Sequence, residues 1–236
     1  MAELIVTLTY YLFFVGYVSM GAAFLFFWSE RNSSEVKEKL PVTLSALIVG
    51  IAAIHYYYMR GEFLGLMEAD GFARFAAITP IRYIDWILTT PLMVFKFQIV
   101  LNKSRAWGLR LMLWDFLMIL TGLVGELRLQ DPDYALGDTS RIVWGTVSGI
   151  FYFILVAELL MARGDAAAAG EETAKTFKTL LLFVLIGWGI YPVGYLLPTY
   201  FTLDANVLDW VNFIYNIGDA VNKIGFGMAT YLLVKE

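Results

Sequence analysis

The residues with the most chemistry to offer lie near the end of the chain, in F-I-Y-N-I-G-D-A-V-N-K-I-G-F-G-M-A-T-Y-L-L-V. Lys223 stands in the middle of this apolar stretch, and Asp219 precedes it by one helical turn. An ionisable pair at membrane depth is costly and is rarely kept without a use. A lysine amine can also condense with an aldehyde to form a Schiff base. A buried Schiff-base lysine with a carboxylate at i−4 suggests a covalent chromophore and its counterion.

A second group falls in T-P-I-R-Y-I-D-W-I-L-T-T-P-L-M-V-F-K-F-Q-I-V, which holds Arg82, Asp85, Thr89 and Lys96. At about 100° per residue, Thr89 lies roughly 40° from Asp85 and Lys96 about 20° from it, so the three share one helix face. Lys96 is about 16 Å along the axis from Asp85. A group held between them could give a proton to one and receive a proton from the other. Pro91 should kink or loosen the helix between the two sites. Plainer readings exist. Lys96 is close enough to Lys103 to snorkel toward the membrane surface, and Arg82 with Asp85 could be a structural ion pair. Two carboxylates, Asp85 and Asp219, near one lysine are harder to explain structurally.

These residues must be carried by membrane spans. Hydrophobic residues make up 59% of the 236-residue chain, charged residues 16%, and the mean hydropathy is +0.67. A soluble domain of this length would carry about 25% charged residues. Seven apolar stretches stand out, at roughly 4–28, 41–60, 75–101, 107–128, 141–162, 176–200 and 205–233, each near the ~20 residues that span a bilayer. The segments 128–140 and 163–174 read as loops. No second domain fits, so residues 1–236 read as one seven-helix, all-α membrane domain. The first stretch, preceded by Met1-Ala2-Glu3-Leu4, reads as a retained span. Lysines and arginines gather on alternate connections: Arg31, Lys37 and Lys39; Lys103 and Arg105; Arg163, Lys175 and Lys178; and Lys235 at the end. The other side is richer in acids, with Glu62, Glu68, Asp70, Asp131, Asp133, Asp138 and Asp204. The positive-inside rule then places the N-terminus outside and the C-terminus in the cytoplasm. A net charge of −4 gives no basic field for nucleic acid. The chain has no cysteine and one histidine, so neither a disulfide nor a metal site is expected.

R-Y-I-D-W-I-L-T-T-P-L in the third span, W-G-I-Y-P-V-G-Y in the sixth and D-A-V-N-K-I-G-F-G in the seventh resemble the microbial (type I) rhodopsins. T-G-L-V-G in the fourth and R-I-V-W-G in the fifth agree. The resemblance covers essentially the whole chain, and the pattern looks like that of the proteorhodopsin-like proton pumps of bacteria. Within them, the Asp85–Thr89–Lys96 triplet is similar to the rhodopsin of Exiguobacterium, where a lysine takes the donor place usually held by Glu or Asp.

The resemblance implies a light-driven ion transporter of the bacterial cell membrane, not an enzyme. It implies all-trans retinal on Lys223 as a protonated Schiff base, Asp85 as counterion and proton acceptor, and Asp219 as second counterion. Asp219 would be oriented by Tyr191 and by Tyr57 or its neighbour Tyr56. Arg82 would lie beneath the carboxylates and influence release, with Thr89 in the same network. Trp86, Thr90, Met93, Met118, Gly122, Trp144, Trp188, Pro192 and Tyr195 would line the pocket with Tyr191. His55 falls where such pumps pair a histidine with the acceptor, which keeps the acceptor ionised near neutral pH. Lys96 would rest neutral, take a proton from the cytoplasm and pass it on. Gly145 follows Trp144 where archaeal pumps carry a second tryptophan. A glycine there opens a window to an antenna carotenoid in some bacterial pumps, whereas its plain reading is close helix packing. Met93 implies green rather than blue absorption. The outer end of the last span lacks the glutamate pair of some archaeal pumps. Family members commonly form trimers or pentamers in the bilayer. The function implied is outward proton pumping. The alternative is a photosensor that signals through a membrane partner, which would not need a fast cytoplasmic donor at Lys96.

Overall fold

The computed structural model describes residues 2–129, 131, 135–201 and 205–235. Asp133 and Asp204, counted above among the acids of the outer side, lie outside the described residues. The described residues form a seven-helix membrane bundle with no strand. The helices are α1 (Ala2–Glu30), α2 (Lys39–Gly65), α3 (Gly71–Val100), α4 (Arg105–Glu126), α5 (Thr139–Met161), the short α6 (Arg163–Ala168), α7 (Glu171–Leu182), α8 (Ile190–Tyr200) and α9 (Ala205–Lys235). The sixth span is built from α7, a wide π turn at Phe183–Gly187 and α8.

The expected spans are all present. One loop expectation needs correction: within 163–174 the alanine-rich run is helical over Arg163–Ala168. Alanine has the highest helix propensity and so extends the fifth span beyond its apolar part. The chain then turns at Gly170, whose φ of +109° suits glycine. Starts are set by side chains that satisfy free amides. The Asp70 carboxylate accepts from Ala73 N–H, Ser104 Oγ from Trp107 N–H, and Asp138 from Ser140 N–H. α3 runs through Pro91 without interruption; one turn back, the Thr89 and Thr90 hydroxyls donate to the carbonyls of Asp85 and Trp86 (2.8 and 2.9 Å).

Polarity is inverted relative to a water-soluble protein. Ile54, Phe153 and Ile186 are about 70% exposed, at 71%, 69% and 70%. Arg82, Asp85, Lys96, Asp115, Glu126, Arg141, Asp209, Asp219 and Lys223 are all buried. Charge is tolerated at membrane depth where it faces the bundle interior and finds a partner. Five described helical segments are long and apolar enough to cross a bilayer by composition. α3 and α9 fall outside that set because they carry the buried charges. α9 packs against α1, α2 and α3, which brings the two charged helices face to face.

Candidate functional site

The charged faces of α3 and α9 meet at Lys223. Its Nζ donates to Asp85 Oδ2 at 2.7 Å and lies 3.4 Å from Asp219 Oδ2. All three side chains are buried. Burying an amine and two acids is offset only where the charges pair and the remaining polar atoms find partners. Asp219 is fully held. Tyr191 Oη donates to Oδ1 (2.5 Å), Tyr56 Oη to Oδ2 (2.7 Å) and Trp86 Nε1 to Oδ1 (3.1 Å). Asp85 is not: among the described residues its Oδ1 has no hydrogen-bond partner. His55 Nδ1 stands 3.5 Å from that oxygen, but its hydrogen bond goes to the Ile51 carbonyl at 2.9 Å.

Arg82 lies one turn before Asp85 on α3. Its guanidinium donates to Tyr56 Oη (3.1 Å), Asn216 Oδ1 (3.0 Å) and Asn212 Oδ1 (3.3 Å), and lies 3.6 Å from Asp219. It thus ties α2, α3 and α9 together beneath the amine. Thr89 is buried on the same face, but its hydroxyl bonds the Asp85 backbone and not the carboxylate.

Lys96 lies on the other side of the amine. It is fully buried and does not snorkel. Nζ is bonded to Ser45 Oγ at 2.6 Å and Thr230 Oγ1 at 3.2 Å, and it enters no ion pair among the described residues. An ammonium at this depth with only hydroxyl oxygens around it is poorly compensated.

The amine opens into an apolar cavity of about 280 Å³ lined by Trp86, Thr90, Met93, Met118, Gly122, Trp188, Tyr191, Pro192 and Tyr195, as expected, together with Lys223 and Asp219. This is the lower end of the size range of small-molecule sites, about 300 Å³. Two expectations are corrected. Trp144 does not line the cavity; it is 37% exposed and packs at the α4–α5 seam, where a Cβ on Gly125 would meet Trp144 Cβ at 3.2 Å. Tyr57 does not reach Asp219. It is 63% exposed and packs edge-on against Tyr17, while Tyr56, one residue and about 100° earlier, points inward. Gly145 does line the cavity, but a Cβ there would lie 2.4 Å from the Tyr195 ring. The notch made by this glycine is filled by the chain's own tyrosine.

Three polar features were missed. Asp115 is buried on α4 and accepts from Thr90 Oγ1 at 2.7 Å. Glu126 and Arg141 form a buried pair at 2.8 Å, with Glu126 lining the cavity. Arg74 and Asp209 pair at 2.6 Å and join α3 to α9. Each was detectable as an ionisable residue inside an apolar run, such as L-M-L-W-D-F-L-M.

Comparison with known proteins agrees with this geometry. The family model described as bacteriorhodopsin-like protein matches residues 7–236. A blue-light absorbing proteorhodopsin from Gamma-proteobacterium Hot 75m4 is 33% identical over 226 residues, covering 92% of this chain and 82% of the relative. The crystal structure of Exiguobacterium sibiricum rhodopsin superposes with a TM-score of 0.80 at 30% identity, covering 96% of both chains. That of xanthorhodopsin, titled a light-driven ion pump with dual chromophore, gives 0.80 at 24% identity, covering 98% of this chain and 93% of that one, a likeness of fold. The chain is therefore a multi-pass protein of the cell membrane. It belongs to the bacteriorhodopsin-like family and is a microbial (type I) rhodopsin of the proteorhodopsin-like kind.

Proposed function

We propose that residues 1–236 form a single retinal-binding domain that pumps protons outward in response to light. The observation that carries this reading is the Lys223 amine held between Asp85 and Asp219 at the mouth of an apolar cavity. The residues present fit retinal. The amine suits an aldehyde, the two acids suit a charged nitrogen, and Trp86 and Trp188 offer flat apolar walls. Retinal joined to Lys223 as an imine supplies the light-driven isomerisation that redirects the nitrogen.

The chain's own residues do the rest. Asp85 Oδ2 already touches the amine and accepts its proton. One of the Asp85 oxygens is short of partners, so protonation removes charge from a site that satisfies it incompletely. Asp219, with three donors, stays charged and holds the nitrogen's surroundings negative. His55 sets the state of Asp85 from 3.5 Å. Neutralising Asp85 changes the field at Arg82, which Tyr56, Asn212 and Asn216 hold in place, and Arg82 in turn influences the later loss of the Asp85 proton to the outer side. Lys96 rests neutral between Ser45 and Thr230, takes up a proton from the cytoplasm once the Lys223 nitrogen has lost its own, and passes it to that nitrogen from the far side. With acceptor and donor on opposite sides of one nitrogen, a cycle moves net charge across the membrane.

The N-terminus lies outside and the C-terminus in the cytoplasm in this proposal. Lys235, paired with Glu35 at 2.9 Å, and Lys103, paired with Asp165, mark the same basic end of the bundle. The Tyr195 ring in the Gly145 notch favours the packing role of that glycine over a window for a carotenoid. A homo-oligomer, trimeric or pentameric, belongs to the same proposal. A photosensor is disfavoured by the deeply buried Lys96, which a signalling cycle does not need. The test is light-induced acidification around cells expressing the retinal-loaded protein, abolished by a protonophore. A retinal-loaded protein with a visible band but no acidification would overturn the pump and leave the sensor.

A further inference from the structure

The sixth span is irregular where it passes the cavity. Over Phe183–Gly187 the helix widens, and Trp188 N–H donates to the Phe183 carbonyl five residues back (2.9 Å). Directly beyond, the turn tightens: Gly189 N–H donates to Ile186 and Tyr191 N–H to Trp188, each three residues back (3.2 and 3.1 Å). The Tyr191 amide therefore goes to Trp188 and not to its regular i−4 acceptor, the Gly187 carbonyl. That carbonyl takes a donor from another helix instead, Asn222 Nδ2 at 3.1 Å.

Asn222 is buried, precedes Lys223 directly, and also lies 3.4 Å from Tyr191 Oη, a donor to Asp219. Only glycine allows this approach, because a Cβ at position 187 would come within 2.1 Å of Asn222 Oδ1. The π turn connects in turn to the cover over Lys96. Phe183, on the turn, packs against Phe226 (6.2 Å between ring centroids) and fills the notch at Gly225, where a Cβ would meet its ring at 2.5 Å. Phe97 stacks edge-on against Phe226 (5.8 Å) and against Phe177 of α7 (5.4 Å). Lys96 Nζ lies 5.7 Å from the Phe226 ring centroid.

We propose that Asn222 is a positioning residue, a latch between the retinal-bearing segment of α9 and the wide turn of the sixth span; this rests on the pump reading above. While Lys223 is at rest, the Asn222–Gly187 bond keeps the turn wide and keeps Phe177 and Phe183 closed over Lys96. Movement of the Lys223 backbone carries Asn222 with it, because the two share a peptide unit. Once the bond is lost, the Gly187 carbonyl regains the Tyr191 amide, the π turn relaxes and α7 swings from Phe97. Single π turns recur at functional sites, and one that can slide is a ready hinge. Lys96 is then open to water from the cytoplasmic end.

The chain has no cysteine, so cysteines placed at the exposed positions Ala106 and Lys178 give a clean spin-label pair across the ends of α4 and α7. Asn222→Leu keeps the branched shape and deletes the donor. In the dark, the retinal-loaded variant should gain the longer distance component that the parent shows only under illumination. The Lys223 nitrogen should also regain its proton up to about tenfold faster, the worth of one hydrogen bond. Asn222→Ala gives the same two readings should the leucine variant fail to take up retinal. Simple loss of packing would lower the melting temperature and leave the distances alone. If the variants that bind retinal keep both the parent's dark distances and its rate, the latch is wrong. It is also wrong if the parent pumps yet shows no longer component in the light. A parent that binds retinal but moves no protons overturns the pump reading instead, and the distance measurement still decides the latch.

Discussion

Replacing Lys96 by alanine should slow the return of a proton to the Lys223 nitrogen by about a hundredfold at pH 8, the low end of what a positioned acid contributes. The magnitude follows from the position of Lys96. It is fully buried, its Nζ touches only Ser45 Oγ at 2.6 Å and Thr230 Oγ1 at 3.2 Å, and the aromatic cover above it leaves no exposed face. Lys96 and Asp85 are separated by about 16 Å along α3, too far for direct transfer, so an intermediate carrier must hold the proton. Without Lys96 the proton must come from bulk water, and the rate should fall about tenfold for each unit of rising pH. The parent, in which Lys96 collects the bulk proton and hands it on, should be the faster of the two at every pH. Ser45→Ala and Thr230→Val each remove one hydroxyl partner and should change the rate by roughly three- to tenfold. Time-resolved visible absorbance of the retinal-loaded proteins across pH 6–9 reads all of this, the pH range being chosen around neutrality. An alanine variant with the parent's rate and pH dependence would refute the donor role.

The remaining expectations concern the groups around the amine. Tyr56→Phe removes a donor to Asp219 and a bond to Arg82, so it should shift the visible band and slow the cycle, while Tyr57→Phe should change neither; equal effects would show that the inward tyrosine is misassigned. His55→Asn should move the pH at which the visible band changes colour, because His55 faces the unpartnered oxygen of Asp85; an unchanged titration removes the pairing. Arg141→Gln should destabilise the protein by about 3–5 kcal/mol, because it leaves Glu126 buried without its cation. A melting temperature equal to the parent's would mean that the pair carries little.

Much of this arrangement was legible in the sequence, for physical reasons that also explain the failures. The spans follow from apolar length, and the shared face of Asp85, Thr89 and Lys96 from the pitch of a helix. Tyr57 failed because three adjacent tyrosines differ only in direction. The buried run Val49, Ala52, Tyr56, Met59 and Phe63 would have chosen Tyr56, since it recurs at helical spacing. Trp144 failed because the motif was read as a pocket wall, whereas Gly125 leaves room for it at the α4–α5 seam. The alanine-rich run was read as a loop with the Glu171-Glu172 segment that follows it, although its alanines favour helix. The hydroxyls around Lys96 and the Asn222–Gly187 bond depend on which helices pack together. Nothing in local spacing reveals them.

The central claim is that Lys223 carries retinal covalently between its two acids. The direct measurement is to load the protein with retinal, fix the linkage with borohydride, digest it and locate the label by mass spectrometry. The account predicts the retinyl group on the peptide containing Lys223, and no light-sensitive band or label in Lys223→Ala. A label on another residue, or a coloured and photoactive Lys223→Ala protein, would contradict it.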